Sequence, residues 1–359
     1  MYEMADQSWR TQPRLMSRSV AEQAAARIGE HVRAHGLDEI VVVFHGGEPL
    51  LAGPESIAHG LEAVRASVGP GVKVRACVQT NGTGLNEEYL ELFRKLDVRV
   101  GVSLDGGPDE QNRHRRYANG RGSYDAVAAG LRRLTQQPYR HLFSGLLCVI
   151  DIRNDPLKTY AALMEFEPPR MDFLLPHGTW ESPPPGRDGA ADETPYADWL
   201  ISVFDHWYAD PRTQVRLFSE TIRLMLGLGA TTESVGLAPA RFLVIETDGA
   251  MAQVDSLKAT FHGAAATGLH VGTSSFDDAL LLPEIAARQI GYDALSSSCR
   301  QCRIWRTCGG GLYAHRYRPG SGFANPSVYC PDLMRLIDHI RARVSGDVAA
   351  SLAKREAGA

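Results

Sequence analysis

Short apolar runs alternate with amphipathic stretches along the first half of the chain. The apolar runs are Ile40–Phe44, Val74–Gln79, Val98–Leu104, Leu142–Ile150 and Phe173–Leu175. The stretches with apolar residues at helical spacing are Ser19–Ala34, Glu55–Val68, Glu87–Leu96, Ser123–Leu134 and Pro156–Glu165. This alternation predicts parallel strands joined by crossover helices, and therefore an α/β fold.

The second half of the chain has a different pattern. In chain order it predicts a Pro/Gly-rich surface loop at Glu181–Ala191, helices at Tyr196–Tyr208 and Ser219–Leu228, strands at Arg241–Glu246 and Ala250–Val254, a helix near Phe276–Gln289, and a last helix from Pro331 to about Val344. The two strands flank Thr247-Asp248-Gly249, which is a hairpin signal. We therefore predict domains at residues 1–237 and 238–345, followed by a frayed tail at 346–359.

Composition narrows the class of protein. A length of 359 residues suits one large domain and a smaller one, and 44% hydrophobic with 22% charged residues is ordinary for a globular protein. A formal charge of -4 argues against general nucleic-acid binding. The apolar stretches are too short for a membrane span, and the first ten residues lack the order of a signal peptide. We expect a cytoplasmic protein with no nucleic-acid or membrane partner.

Polar residues follow three consecutive predicted strands. They are His45-Gly46-Gly47-Glu48-Pro49, Gln79-Thr80-Asn81-Gly82 and Ser103-Leu104-Asp105-Gly106. Each segment alone is equally well explained as a turn or a helix cap. Because the carboxyl ends of parallel strands meet at one edge of a sheet, three such segments favour one shared pocket. The carboxylate of Glu48 is a candidate ligand for an ammonium group there.

Other polar groups are weaker candidates. The basic run Arg113–Arg116 is typical of a solvated face, although an arginine near the pocket can pair with a ligand carboxylate. Residues of this kind that could face a substrate, but more often have structural roles, are His177, Trp180, Tyr313 and His315. Cys77 and Cys148 lie in apolar strand patterns and are expected to be inert buried thiols.

Four of the six cysteines are close together near the C-terminus. Cys299, Cys302 and Cys308 have the spacing C-x2-C-x5-C, and Cys330 follows in Tyr-Cys-Pro. Thiolates spaced in this way usually bind a metal in a reducing compartment, where disulfides are rare. The spacing leaves two possibilities open, a structural zinc ion and an iron–sulfur cluster.

The segments FHGGEPLL, QTNGT, VSLDG and GSY, taken in this order, resemble the core of radical S-adenosylmethionine enzymes. The cysteine region resembles their SPASM/twitch extension, and YEMADQSW, CGGGLYAHRY and NPSVYCPDL are similar to the FxsB-like peptide maturases. The resemblance implies a partial (β/α)6 barrel without its first strand and a C-terminal α+β SPASM/twitch-like iron–sulfur domain. It also implies a 5′-deoxyadenosyl radical, generated from S-adenosylmethionine, that removes hydrogen from a ribosomal precursor peptide to form a cyclophane-type C–C crosslink. A flavodoxin or ferredoxin would supply electrons.

The resemblance also assigns cofactor roles to particular residues. Gly46, Gly47 and Glu48 would hold the methionyl amino group of the cofactor. Gln79 and Ser103 would contact the rest of it, beside Asp105. Arg115 would pair with the cofactor carboxylate, and Arg116 is the alternative because an extra glycine follows Asp105.

The same resemblance implies one auxiliary [4Fe-4S] cluster on Cys299, Cys302, Cys308 and Cys330. The family pattern has further cysteines at the position of Leu312 and around the hairpin, and this chain has none there. Crosslinking also needs a base for the proton that leaves the aromatic ring. The candidates are Asp255, Asp248 and Glu246 in the hairpin region.

The chain departs from the family at its start. It has no C-x3-C-x2-C triplet, which in the family binds the catalytic [4Fe-4S] cluster. We expect that the chain is a truncated form of a longer enzyme, with Met1 in place of a commonly found valine. As such it should bind S-adenosylmethionine poorly and not cleave it. The strand Ile40–Phe44 should have one unpaired edge, and stability should be low.

Two other functions compete with the maturase. One is a degenerate, non-catalytic iron–sulfur protein that binds a peptide or a partner enzyme. The other is an α/β protein stabilised by zinc on the four cysteines. The intact polar strand ends argue against the first, and the identity of the metal separates the second from both.

Overall fold

A computed structural model describes residues 4–187 and 193–357, with the side chains described as far as residue 351. Met1 and residues 188–191 of the predicted loop therefore lie outside the described residues. No helix in the described part of the chain combines the length and apolar character that a membrane crossing needs.

Six strands form the main sheet, as the apolar runs predict. In chain order they are β1 (Glu39–Phe44), β2 (Lys73–Thr80), β3 (Val98–Ser103), β4 (Phe143–Val149), β5 (Arg170–Leu174) and β6 (Gln214–Val215), and this is also their order in the sheet. The pairs from β1 to β4 are parallel. A second, antiparallel sheet consists of β7 (Val244–Ile245), β8 (Ala250–Ala252) and β9 (Ala266–His270).

The helices cover most of the chain between the strands. They are α1 (Arg18–His35), α2 (Pro54–Val68), α3 (Glu87–Leu96), α4 (Pro108–His114), α5 (Tyr124–Leu134), α6 (Pro156–Met164), α7 (Pro195–Ala209), α8 (Arg216–Met225), α9 (Phe276–Leu280), α10 (Pro283–Ala286), α11 (Ser297–Arg300), α12 (Trp305–Cys308) and α13 (Cys330–Ala357). Short 3-10 helices lie at Ser8–Arg10, Pro49–Ala52, Arg140–Leu142, Asp255–Ala259, Gly291–Ala294 and Tyr313–Arg316.

Helix α3 shows how local sequence sets an element. The side chain of Asn86 accepts a hydrogen bond from the backbone N–H of Tyr89 and so caps the helix start. Acidic residues occupy the first turn and basic residues the last, which suits the helix dipole. Its four buried residues recur at helical spacing, and Asp97 ends the helix in the left-handed region. The predicted bounds of this helix are therefore those of the structure.

Other predicted elements differ from the structure. The helix predicted at Phe276–Gln289 is interrupted between α9 and α10, because Pro283 cannot continue the helical hydrogen bonding. The last helix does not end near Val344 but runs to Ala357, through a segment rich in helix-forming alanine. Strands β6 and β9 are absent from the prediction.

The chain divides into two compact units. The first comprises Met1–Val149, Ala161–Met171 and Arg241–Ala286, and the second comprises Ile150–Tyr160, Asp172–Ala240 and Ala287–Ala359. The first unit holds the polar ends of β1 to β3 together with the hairpin, and the second holds the four clustered cysteines. The boundary between domains after residue 237, predicted from the sequence, remains a prediction.

Strand β1 lies at the end of the sheet order, so one of its edges is unpaired within the described residues. Its outward side chains Val41 and Val43 are 57% and 42% exposed. An edge strand with exposed valines is a site where other strands tend to pair. The unpaired edge predicted for this segment is thus present in the described structure.

Close backbone packing at Gly145 yields a stability prediction. Gly145 lies in β4 with φ at +142°, and a Cβ there would overlap the carbonyl oxygen of Arg170. We expect Gly145→Ala to lower the free energy of unfolding by about 2–3 kcal/mol. Gly71→Ala is the matched control, because nothing lies within 4 Å of its added Cβ. Equal denaturation midpoints for the two variants would contradict the packing described.

Candidate functional site

The carboxylate of Glu48 joins the ends of β1 and β2. Its Oε1 accepts hydrogen bonds from Thr80 Oγ1 at 2.6 Å and from the backbone N–H of Leu50 at 3.1 Å. Its Oε2 accepts from the backbone N–H of Asn81 at 2.7 Å. An ionised carboxylate offers about four acceptor positions, so roughly one remains for an ammonium group.

The end of β2 is connected to β3 in the same way. Gln79 Nε2 donates to Ser103 Oγ at 3.1 Å. Gly101 makes room for this glutamine, since a Cβ at that position would overlap Gln79 Oε1. Gly46 has a φ of +118° with open space around the position of a Cβ, a conformation that favours glycine. The three polar segments predicted to share a pocket are therefore linked by side-chain hydrogen bonds.

Asp105 links the ends of β3 and β4. The residue is 8% exposed, and its Oδ1 accepts from the backbone N–H of Val149 at 2.9 Å. The guanidinium of Arg115 pairs with the same carboxylate, with Nη2 at 3.2 Å from Oδ1. Arg116 is exposed and donates Nε to the carbonyl of Asn112 at 2.6 Å. The structure thus places Arg115, but not Arg116, against a strand-end carboxylate.

Among the three candidate bases, Asp255 lies against the strand ends. Its Oδ2 is 3.4 Å from Nδ1 of His45, the residue that directly follows β1. Lys258 Nζ is 3.3 Å from Asp255 Oδ1 and 2.7 Å from Glu246 Oε1. Asp248 is exposed, and its carboxylate caps the hairpin turn by accepting from the backbone N–H of Ala250. The structure therefore brings Asp255, Lys258 and Glu246 together beside His45 and leaves Asp248 apart.

The surroundings of Asp255 control its charge. Burial raises the pKa of Asp255, but the hydrogen bond from His45 and the charge of Lys258 outweigh burial, so the pKa lies below its usual value. Burial lowers the pKa of Lys258, and the charges of Asp255 and Glu246 raise it overall. Both groups are therefore ionised at neutral pH. Sequence reasoning missed Lys258 and the contact between His45 and Asp255, because these pairings are defined only by the fold.

The second unit contains all four clustered cysteines. Cys299 lies in α11, Cys308 ends α12 and Cys330 begins α13, while Cys302 lies between α11 and α12. Burial raises the pKa of the Cys308 thiol to about 12, and the charges of Cys330 and Cys299 add to this effect. Burial and the charges of Cys299 and Cys302 raise the pKa of Cys330. The thiols are close enough for the charge of one to shift the pKa of another, but within the described residues no three of their sulfur atoms lie within 4.8 Å of one another.

A rigid glycine loop follows Cys308. Gly309, Gly310 and Gly311 have φ values of 60°, 78° and 68°, which favour glycine. The buried guanidinium of Arg316 donates to all three carbonyl groups, at distances between 2.6 and 3.2 Å. The only hint of this loop in the sequence is a run of three glycines followed by an arginine.

The four weaker candidates have partners within the second unit. Trp180 Nε1 donates to the carbonyl of Pro326 at 2.8 Å, and Tyr313 stacks on Phe323 with ring centres 4.4 Å apart. His315 is 2% exposed, and its burial lowers its pKa to about 3. The ring of His177 lies 6.1 Å from that of His315. These contacts fit structural roles, which the sequence favours for such residues.

The two isolated cysteines differ in exposure. Cys148 is buried as predicted, whereas Cys77 is only partly buried. Burial raises the pKa of the Cys77 thiol, so it stays protonated and unreactive at neutral pH.

Comparison with known proteins extends this picture. Residues 9–161 match the model of the radical SAM superfamily. The chain is 24% identical to a cysteine-type anaerobic sulfatase-maturating enzyme of Clostridium novyi, with 59% of this chain and 58% of the enzyme covered. It is 21% identical to a serine-type anaerobic sulfatase-maturating enzyme of Bacteroides thetaiotaomicron, with 87% of this chain and 78% of the enzyme covered. The chain thus spans under two thirds of the first of these relatives.

A solved structure shares the fold. Native anSMEcpe with bound AdoMet and Cp18Cys peptide superposes with a TM-score of 0.78 at 20% identity, covering 93% of this chain and 92% of that chain. The α/β fold predicted from the sequence, a partial radical SAM barrel, is confirmed.

The ion pairs of Lys258 yield a pH-dependent prediction. The variant Lys258→Met removes the cation that pairs with Asp255 and Glu246. Because the side chains of these two residues are only 23% and 22% exposed, we expect the unfolding free energy at pH 7 to fall by about 1–3 kcal/mol. The lowered pKa of Asp255 contributes stability above the unfolded pKa, and this contribution disappears as the pH falls through the folded pKa. The unfolding free energy of the variant should therefore approach that of the parent protein at acidic pH.

The matched control for Lys258→Met is Lys73→Met. Lys73 pairs with Glu39 at the surface, at 3.7 Å and with a side chain 66% exposed. Solvent screening makes such a pair worth less than about 1 kcal/mol. Denaturant titrations at neutral and acidic pH measure the unfolding free energies of the parent and both variants. If Lys258→Met lowers the unfolding free energy equally at both pH values, the ion-pair explanation is excluded.

Proposed function

We propose that this chain belongs to a radical SAM peptide maturase that forms a cyclophane-type C–C crosslink in a ribosomally made precursor peptide, and that the sequence given, without a C-x3-C-x2-C triplet, is inactive by itself. The observation that carries the proposal is the hydrogen-bonded cluster of strand ends beside Asp255. Glu48 bonds to the end of β2, Gln79 bonds to Ser103 on β3, and Asp255 contacts His45. The match to the radical SAM model over residues 9–161 and the peptide bound in a structure of the same fold support it.

The strand-end cluster has the chemistry that S-adenosylmethionine needs. Glu48 keeps about one acceptor position for an ammonium group, and the loop at Gly46 has open space. We propose that Gly46, Gly47 and Glu48 hold the amino group and that Gln79 and Ser103 contact the rest of the molecule. Asp105 holds Arg115 at the same edge, where the guanidinium can pair with the cofactor carboxylate. Given one electron from a reduced [4Fe-4S] cluster on a C-x3-C-x2-C triplet, which this sequence does not contain, the bound cofactor would supply a 5′-deoxyadenosyl radical that removes hydrogen from a substrate.

The cysteine cluster has the donor set of an iron–sulfur centre. All four candidate ligands are thiols, and the charges of neighbouring cysteines raise the pKa values of the buried Cys308 and the partly buried Cys330. Four cysteine thiolates suit a [4Fe-4S] cluster, and they also suit structural zinc. We propose one auxiliary [4Fe-4S] cluster on Cys299, Cys302, Cys308 and Cys330. A flavodoxin or ferredoxin as reductant and a cytoplasmic location remain parts of the same proposal.

A base is the remaining requirement of crosslinking. Joining an aromatic carbon to a β-carbon breaks one C–H bond on each and forms one C–C bond. The hydrogen of the β-carbon leaves as a hydrogen atom to the 5′-deoxyadenosyl radical. The hydrogen of the ring leaves as a proton, together with one electron that an oxidised iron–sulfur cluster would accept. Asp255 is ionised and lies beside the strand ends, which fits this role. Lys258 pairs with both Glu246 and Asp255, more closely with Glu246, and only Asp255 of the two is paired with His45 at the end of β1. Asp248 caps a turn. We therefore favour Asp255 among the three candidates.

A second candidate function is the maturation of a sulfatase. Two of the similar proteins are named anaerobic sulfatase-maturating enzymes, of the cysteine type and of the serine type. Such a function would change a single cysteine or serine residue, whereas a cyclophane links two residues. The two readings therefore predict different products from the same site.

Metal analysis tests the cysteine site. We expect about four iron and four sulfide ions per chain after anaerobic purification, with a broad visible absorbance. Cys308→Ser should lose most of both, while Cys77→Ala, which changes a cysteine outside the cluster, should keep them. Zinc without sulfide would support the zinc-stabilised protein. An iron–sulfur cluster with no maturase activity would support the degenerate protein.

Product analysis tests the base and the reaction. Asp255→Asn should lower the crosslinking rate by about 100-fold or more, because an amide cannot accept the ring proton. Asp248→Asn is the matched control and should leave the rate unchanged. The assay uses a form of the enzyme that also carries the C-x3-C-x2-C triplet, and mass spectrometry detects the loss of two hydrogens from the peptide. A product changed at one cysteine or serine without a crosslink would replace the cyclophane reading with sulfatase maturation.

A further inference from the structure

Three potential metal ligands converge away from both sites described above. His31 and His35 lie one turn apart on α1, and Asp277 lies in α9. His31 Nδ1 is 2.9 Å from Asp277 Oδ1, and His35 Nε2 is 2.8 Å from the same oxygen. All three ligand atoms lie within 4.8 Å of one another. In the described part of the chain, no other set of three or more such side chains meets that distance.

The fold explains why these side chains meet. Residues four apart on a helix lie on one face, with Cβ atoms roughly 5–6 Å apart. Ser275 and Asp278 form a capping box that fixes the start of α9 and thereby the position of Asp277. Phe276 packs near His31, with ring centres 5.9 Å apart. Helix α1 therefore positions the two histidines, and the capped start of α9 positions Asp277.

We propose that His31, His35 and Asp277 form a binding site for a first-row divalent metal ion such as Ni²⁺ or Zn²⁺. Imidazole and carboxylate are established ligands of these ions, and water would fill the remaining positions. Ligand distances of about 2.0–2.1 Å imply tetrahedral N···O separations of about 3.3 Å. The present 2.8 and 2.9 Å therefore need to open by only about 0.4 Å.

The side chains are free to make this adjustment. The exposed fractions are 25% for His31, 46% for His35 and 47% for Asp277. Both imidazoles lie within hydrogen-bonding distance of one carboxylate oxygen, so rotations of the three side chains can open a position for a cation between the ligand atoms. Access from solvent is open as well, because His35 and Asp277 are about half exposed.

A metal here would connect distant parts of the first unit. The ligands on α1 and α9 are 242 and 246 residues apart along the chain. Next to them, Ala24 of α1 packs in a buried apolar cluster with Met251 and Ala279. Binding would thus fix the segment that also carries the hairpin and Asp255. The inference does not depend on the proposed function.

Nickel binding to the full chain tests the proposal. Equilibrium dialysis against NiCl2 should show one more tightly bound Ni²⁺ per chain in the parent protein than in His35→Ala, since both keep the same cysteines. The matched control is His59→Ala on α2, which removes a histidine paired with Glu22 at 3.2 Å and should bind as the parent does. Equal stoichiometry in the parent and His35→Ala would overturn the proposal.

A second variant separates metal binding from hydrogen bonding. Asp277→Asn keeps an oxygen that accepts hydrogen bonds from both histidines but loses the charge that a metal ligand needs. We expect its affinity for the additional Ni²⁺ to be at least about tenfold weaker, and saturating Ni²⁺ should raise the melting temperature by about 2–5 °C more in the parent than in the variant, since both keep the same cysteines. An unchanged Ni²⁺ affinity in Asp277→Asn would overturn the proposal that Asp277 is a metal ligand. Circular dichroism confirms that each variant is folded before binding is compared.

Discussion

Two carboxylates fix the polar edge of the main sheet, and the candidate site depends on them. Glu48 accepts from the backbone N–H of Asn81 after β2, and Asp105 accepts from the backbone N–H of Val149 at the end of β4. Hydrogen bonds to a charged acceptor contribute about 1.5–3 kcal/mol each, more than neutral ones. Each carboxylate therefore replaces a missing backbone partner where a strand ends. Arg115 already balances the charge of Asp105, so the Glu48 carboxylate, with roughly one acceptor position left, is the group at this edge that can receive an ammonium group.

This constraint shapes the chemistry next to it. Asp255 reaches the edge through His45, and Lys258 balances the charges of Asp255 and Glu246. A carboxylate with a lowered pKa is available as an anion at neutral pH, but it is a weak base. It can accept a proton only from a strongly acidic carbon, such as a ring that regains aromaticity on losing it. The electrostatics of the network therefore favour a late proton transfer over the opening of a reaction by deprotonation.

The sequence predicted the elements whose signals are local. Helix α3 has its cap, its charges and its apolar spacing within ten residues, and its bounds were predicted correctly. Strand β9 was missed because Gly268, with φ at +73°, interrupts any strand pattern. The contact between His45 and Asp255 joins residues about two hundred positions apart, and only the fold determines it. The three strand ends were found because parallel topology alone brings them to one edge.

At the cysteine site, local sequence determines the conformation of the loop that follows Cys308. Three consecutive glycines with positive φ and the buried Arg316 fix the loop after Cys308 by backbone contacts. A Cβ at Gly309 would overlap the carbonyl oxygen of Gly236, so this loop also depends on a segment far away in the chain. Because burial keeps the Cys308 thiol protonated, a metal or cluster must displace a proton to bind there. A preformed loop lowers the ordering cost of binding, and proton release makes the binding dependent on pH. A metal or cluster bound by the four cysteines, as proposed above, would therefore meet a loop that backbone contacts already fix.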